Sequence, residues 1–334
     1  MKFVACSSLL VLLLIPSNKV LAQGCCSAGS GSPIAGGTSQ GVLADRQFEV
    51  NVNFQRLSTK RFLNGDKPEK KFLDYYGSDF LYTRLSYGIT KALTLSLEGG
   101  YYFDRTQIGL NKADTMRSSG PSDLVIFPRY TVYTHNTEKT RDEVTVGLGY
   151  KIPIGRYNDS AKFVEPYTGD VYHLTMPPAV QPTTGSNDVI FYLFAFRGYP
   201  TKDFRVFSNL LYVRKGWNPQ GIKFGDYASI SMFAGKTFFD KLGVTLQLKG
   251  ELIGTMKYNE DLYNLAYYNF DVSATGMKQL SVVPQLSYSR NSLTIYALSE
   301  FPLYQYVNKV QVASQYLHTV GIAYRFFAHS QPEG

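Results

Sequence analysis

From Gln47 onward, apolar and polar residues alternate with a period of two. In "QFEVNVNFQRL", Phe48, Val50, Val52 and Phe54 share one face, and Glu49, Asn51, Asn53 and Gln55 share the other. "LTLSLEGGYYF" sets Leu93, Leu95, Leu97 and Tyr101 against Thr94, Ser96, Glu98 and Tyr102. "VTVGLGYKIPI" and "VTLQLKGEL" repeat the pattern, with Gly147, Gly149 and Lys151 in the first polar row and Gln247, Lys249 and Glu251 in the second. Successive strand side chains point to opposite faces, so each stretch predicts a strand with one apolar face and one polar or glycine face.

Twelve such strands are predicted, over 47–59, 78–89, 93–103, 123–133, 143–154, 188–198, 204–215, 226–238, 242–254, 278–289, 293–303 and 315–327. They are long for a soluble sheet and suited to crossing a bilayer at a tilt. The sixth and seventh, "DVIFYLFAFRG" and "FRVFSNLLYVRK", are apolar on both faces, so the pattern does not orient them.

The connections alternate too. Short links fall around "TKA", "DKL" and "RNS", with "THNTEKTRD" somewhat longer. Between them lie links of about 18 residues at 60–77, 19 at 104–122, 33 at 155–187 and 23 at 255–277. An even number of strands with short turns at one end and long loops at the other is the bacterial outer-membrane pattern. The expected fold is therefore all-β: a twelve-stranded antiparallel transmembrane barrel in an up-and-down meander. A soluble sandwich or lipocalin-like barrel would also alternate, but with its apolar face inward. Here the other face carries Arg84, Glu98, Arg129, Lys151, Lys249, Glu251 and Glu300, which a watery lumen accommodates and an oily core does not.

The N-terminus fits export to such a membrane. "MKFVACSSLLVLLLIPSNKVLA" carries Lys2, an apolar core over Leu9–Ile15, and Val20 and Ala22 at the −3 and −1 positions. This is a secretory signal, with cleavage expected after Ala22. Removing it takes away Cys6, Lys2 and Lys19 and lowers the formal net charge from +8 to +6. The basic residues are dispersed, and an exported chain does not meet nucleic acid, so the excess fits anionic lipopolysaccharide or anionic solutes. The expected localisation is the outer membrane, with the N-terminus and short turns periplasmic. The expected surroundings are its lipid, lipopolysaccharide and a small-molecule solute, and the barrel assembly machinery acts during biogenesis. No nucleic acid is expected as a partner, and the chain reads as a monomer.

The 26 Tyr and 22 Phe also find a place. Tyr75, Tyr76, Tyr82, Tyr101, Tyr102, Phe103, Tyr130, Tyr133, Tyr150, Tyr288, Tyr304, Tyr306 and Tyr316 fall near predicted strand ends, where aromatic girdles meet the headgroups. The last strand, "YLHTVGIAYRFF", alternates Val320, Ile322, Tyr324 and Phe326 outward, and a polar tail at 328–334 follows.

"LSYGITKALTLSLEGGYYF", "SSGPSDLVIFPRY", "GLGYKIPIGRY" and "PLYQYVNKVQ…VGIAYRF" resemble the outer-membrane transporters named for the meta-pathway of phenol degradation. The shared rhythm is Tyr-Gly-Ile/Leu-Thr at a periplasmic turn, Gly-x-x-Asp entering a strand and Gly-x-Gly-x-x-x-Pro-x-Gly leaving one, over most of 47–327. The resemblance implies a monomeric barrel passing small, often hydrophobic molecules. It supplies no catalytic residues.

Candidate chemistry is sparse, and neither enzyme nor cofactor is expected. His318 points outward near the outer leaflet, the setting of the outer-membrane phospholipase, but that enzyme's His-x-Ser-Asn run is absent. It reads as an interfacial histidine beside Tyr316. His135, His173 and His329 are isolated in sequence, so no metal site is expected. The seven charged lumen residues either select solutes or form an ion-paired filling. "QGCCSAGSGSPIAGG" opens a flexible segment over 23–46 that could plug the lumen. Its Cys25 and Cys26 cannot form an ordinary bridge, because adjacent Cα atoms are too close. Exchange with a partner's thiol and lipidation at Cys25 stay open. The functional expectation is a passive, selective channel for small molecules. The alternative is a structural or assembly barrel that binds a protein partner through its outer loops or its cysteines, and an outer-leaflet hydrolase comes after both.

Overall fold

The computed structural model describes residues 41–112, 115–164, 167–259 and 273–327. The expected signal peptide, Cys25, Cys26 and the 328–334 tail lie outside the described residues.

Twelve long strands close into one antiparallel barrel. They are β1 (Gln47–Thr59), β2 (Leu73–Gly88), β3 (Leu93–Gly109), β4 (Leu124–Asn136), β5 (Arg141–Ile152), β6 (Asp188–Tyr199), β7 (Phe204–Arg214), β8 (Tyr227–Phe238), β9 (Leu242–Ile253), β10 (Met277–Arg290), β11 (Leu293–Ala313) and β12 (Tyr316–Phe327). Each pairs with its neighbour in sequence, and β1 pairs β12 from Gln47↔Phe327 to Ser58↔Tyr316 to complete the ring. Closure leaves no sheet edge, which is what allows β-structure to sit in lipid.

The alternation resolves as the pattern requires. Along β1 the polar row Glu49, Asn51, Asn53 and Gln55 is buried inside, and Phe54 of the apolar row is exposed. Val320, Ile322, Tyr324 and Phe326 of β12 are all exposed on the outside. The exterior is thus an apolar band, as a lipid-facing wall must be. Tyr101, Phe103, Tyr130, Tyr133, Tyr150, Tyr288, Tyr304, Tyr306 and Tyr316 belong to it. Tyr76, Tyr82 and Tyr102 do not: Tyr82 is fully buried inside, and Tyr76 and Tyr102 line an interior cavity. Proximity to a strand end does not reveal parity, and a girdle needs outward parity.

Three strands outrun their predicted ends by five residues or more. β2 starts at Leu73, β3 continues to Gly109, and β11 continues to Ala313 through a register break at Val307/Val310, where Lys309 has φ +54°. Beyond the membrane both faces are wet, so the apolar–polar contrast that marks a strand disappears there. The outer part of β3 pairs with Met116–Pro121, and the end of β11 pairs with Arg61–Gly65.

Candidate functional site

All seven charged residues singled out in the sequence point into the barrel, and the fold sorts them into three groups. In the first, the Arg84 guanidinium stands 2.8 Å from Glu49, and Arg325 holds the other Glu49 oxygen at 2.7 Å. Arg84 faces Glu98 directly across the β2–β3 ladder. Arg129 donates to Ser96 Oγ at 2.9 Å and lies over the Phe127 ring. Next to this layer, the Tyr296 hydroxyl donates to Asn51 at 2.9 Å and accepts from Asn53 at 3.2 Å. Glu49, Arg84 and Arg129 are each 2% exposed, so side chains fill the lumen at this level. Burying that much charge is tolerable only because the groups are paired and hydrogen-bonded.

The second group is Lys249, which lies 3.0 Å from Glu251 and 2.9 Å from Glu300. Gln279 donates to Glu300 at 2.9 Å, and the Tyr227 hydroxyl donates to Glu251. Lys249, Glu251, Gln279 and Glu300 line a cavity of about 270 Å³ that also takes in Phe80, Tyr102 and Arg105.

The third group is Lys151, whose ammonium is 2.9 Å from Asp123 and 3.0 Å from Asp188. Lys215 lies 3.0 Å from the same Asp188. The alternation pattern does not mark either aspartate as a site residue. Both close a Gly-x-x-Asp run, Gly120-Pro-Ser-Asp123 and Gly185-Ser-Asn-Asp188, and the repetition was the available signal.

The clamp anchors the longest loop. Its stretch at 176–186 turns inward, with Met176, Val180, Gln181, Thr183 and Ser186 almost wholly buried. Tyr76 donates to the Ala179 carbonyl at 3.0 Å, Arg105 to the Gln181 carbonyl at 2.6 Å, and Ser118 to the Val180 carbonyl. Lys151 donates to Thr184 at 2.6 Å, and Asn218 to the Thr184 carbonyl at 3.1 Å. The loop thereby reaches from the β2–β3 side of the long-loop mouth to the β5–β7 side.

The strands whose orientation the pattern left open supply an apolar wall. Ile190, Tyr192 and Phe194 of β6 and Leu211 and Val213 of β7 pack inward with Val125 and Phe127 of β4. Phe207 stacks on Phe233 at 4.3 Å. Gly147 and Gly149 make room for this wall, since a Cβ at either would come within 2.9 Å of the Phe127 ring. The lumen therefore has a polar side, built by β1–β3 and β9–β12, and an aromatic side.

At the short-turn end, the described residues of the N-terminal segment enter the barrel. The Arg46 N–H bonds the Gly88 carbonyl at 2.8 Å, the Leu43 N–H donates to Thr94 Oγ1 at 2.7 Å, and the Val42 N–H to Glu143 at 3.3 Å. Thr94 and Glu143 are interior residues of β3 and β5, so this strap lies across part of the short-turn mouth.

His318 is outward and exposed, and stacks on Tyr316. Its Nδ1 shares a hydrogen bond of 2.9 Å with Ser299, its cross-strand neighbour on β11. The sequence reading did not connect these two, because 19 positions separate them. Among the described residues no carboxylate bonds the ring, so the group that would orient it for nucleophilic catalysis is missing.

No family model and no curated protein matches the chain. Among solved structures it is similar to an outer membrane channel from Pseudomonas putida F1, at a TM-score of 0.63 and 11% identity, covering 86% of this chain and 97% of that one. The beta domain of the Bordetella autotransporter BrkA (TM-score 0.46, 9% identity, 84% and 100% covered) and the KdgM porin (0.41, 11%, 83% and 99%) are more distant. At 11% identity the likeness to the Pseudomonas channel is one of fold: a closed barrel of the outer-membrane kind.

Proposed function

We propose that the protein is an outer-membrane channel for passive, selective uptake of small molecules. One observation carries this reading. A barrel with an apolar exterior encloses a polar, charged interior that keeps a cavity of about 270 Å³ near its outer mouth. Unfilled volume weakens a structure, so a barrel with no task but support would be expected to close it.

A solute enters beside the inward loop and rests in the cavity. It passes inward when the Glu49–Arg84–Arg325 group and the strap at 41–46 rearrange. The aromatic wall supports solutes with an apolar part, and the resemblance to the meta-pathway transporters points the same way. On this reading residues 1–22 direct export, the short turns and N-terminus are periplasmic, and a single chain works in outer-membrane lipid and lipopolysaccharide after insertion by the assembly machinery.

The test is swelling of proteoliposomes in isosmotic arabinose, with the chain from Gln23 and with a chain lacking residues 23–46. Swelling with either supports a channel, and swelling with the shorter chain alone makes the segment a plug. The tight burial of Arg84, Arg129 and Lys151 favours a second reading, a sealed barrel that binds a protein partner through its outer loops. Absence of swelling with both chains selects it.

A further inference from the structure

We infer that the cavity near the outer mouth binds a short zwitterion whose amino and carboxylate ends are several bonds apart, of the ω-amino acid or short-peptide kind. The inference rests on the reading that small solutes enter this lumen, and it names their chemistry.

Two opposite imbalances of charge face the same space. On one wall, Arg105 of β3 lies over the Tyr102 ring at 4.6 Å. Its other contacts are the Gln181 carbonyl at 2.6 Å and the Tyr76 hydroxyl at 3.5 Å, both neutral. Among the described residues no carboxylate is in ion-pair reach of this guanidinium, and its buried Nε–H has no acceptor. Arg105 is half-buried and feels Asp123 only at longer range, with no carboxylate in contact. Such a cation is poorly compensated, and an arriving carboxylate would relieve that cost with strong charge-assisted bonds.

On the facing wall the imbalance is reversed. Lys249 is a single ammonium between two carboxylates, Glu251 at 3.0 Å and Glu300 at 2.9 Å. A second cation would complete that pairing. Among the described residues, Arg105, Lys249, Glu251 and Glu300 are the only Lys, Arg, Asp or Glu of the cavity lining, so a ligand meets one site for an anion and one for a cation. β3 and β9 stand six strands apart in either direction round the ring, which places the two sites on opposite walls. A ligand that satisfies both must carry its charges at separate ends.

The middle of the cavity suits an apolar spacer. Phe80, Tyr102, Val283 and Leu298 also line the cavity and give it apolar surface. Its volume of about 270 Å³ lies just under the roughly 300 Å³ at which drug-sized sites begin, so the ligand is compact.

Matched probes test this on the whole mature chain in detergent, by calorimetric titration: 6-aminohexanoate, hexanoate and hexylamine. The expected order puts 6-aminohexanoate at least about tenfold tighter than either singly charged analogue. Arg105→Gln should weaken 6-aminohexanoate and hexanoate by about tenfold and leave hexylamine unchanged. Glu300→Gln should weaken 6-aminohexanoate and hexylamine and leave hexanoate unchanged. If Arg105 is only a strut for the inward loop, its substitution shifts all three probes alike, and the inference fails. Equal binding of the three by the wild type, or binding of none, overturns it too. Because the titration needs no passage through the lumen, a sealed barrel that still binds 6-aminohexanoate would sink the channel reading and leave this site standing.

Discussion

Arg84 and Glu49 meet at 2.8 Å in the barrel interior, on adjacent strands, and both are 2% exposed. Glu49 also holds Arg325 at 2.7 Å, so one carboxylate balances two guanidinium groups. Glu49→Gln would remove the carboxylate that both arginines share, leaving Glu98 as the carboxylate across the ladder from Arg84. Removing one member of a buried ion pair costs about 3–5 kcal/mol. The variant is expected to unfold at lower urea concentration in lipid and, in planar bilayers under a KCl gradient, to shift its reversal potential toward anion selectivity. An unchanged midpoint and potential would mean that this group neither stabilises the barrel nor faces the permeation path.

The Lys151 clamp makes a separate prediction about the long loop at 155–187. Lys151→Met takes the ion-pair partner from Asp123, leaves Asp188 with Lys215, and removes the bond to Thr184. Loop 155–187 should then open more often. Trypsin, acting at Arg156 or Lys162, is expected to cleave it about tenfold faster than in the wild type, the effect of about 1.4 kcal/mol on the opening equilibrium. Equal cleavage rates would show that the loop is held by its backbone contacts to Tyr76, Arg105 and Ser118 alone.

Gly88 reports on the strap. A Cβ there would come within 2.0 Å of the Ala44 carbonyl, a backbone atom that cannot rotate away. Gly88→Val should push residues 41–46 out of the short-turn mouth while its strand stays paired with β3. Proteoliposomes carrying it are expected to swell in arabinose about twice as fast as the wild type or faster, if flux scales with the open cross-section. No change would place the resistance elsewhere, the Glu49–Arg84 layer being the next candidate.

The turn between β8 and β9 carries a local cost. Phe239 and Asp240 both have positive φ, 54° and 55°, the geometry of a type I′ hairpin that favours Asn and Gly. An L-residue in this region costs about 1–2 kcal/mol, and Phe239 is 88% exposed, so its ring recovers little of that by packing. Phe239→Asn should stabilise the barrel by about 0.5–1 kcal/mol, read as a higher urea midpoint. A lower midpoint would instead assign the ring a role as an anchor in the headgroup layer.

The sequence by itself determined the number of strands, the short turns and the inward direction of Arg84, Glu98, Arg129, Lys151, Lys249, Glu251 and Glu300. Those features follow from a period of two, and parity is local: a residue and its second neighbour share a face wherever the strand ends up. The tertiary structure alone decided who meets whom. Glu49 and Arg325 are 276 positions apart, and Asn51 and Tyr296 are 245 apart; ring closure through β1 and β12 brings each pair into contact. The inner faces of β6 and β7 were equally hidden, since Tyr192 and Phe194 alternate with Phe191 and Leu193 and offer no contrast. Register with β5 and β8, and the space beside Gly147 and Gly149, settle them. The same is true of Arg105, which lies past the last clear alternation of its strand. It became a candidate only when the barrel set it opposite Lys249, Glu251 and Glu300, because charge imbalance is a property of a closed space and not of a run of residues.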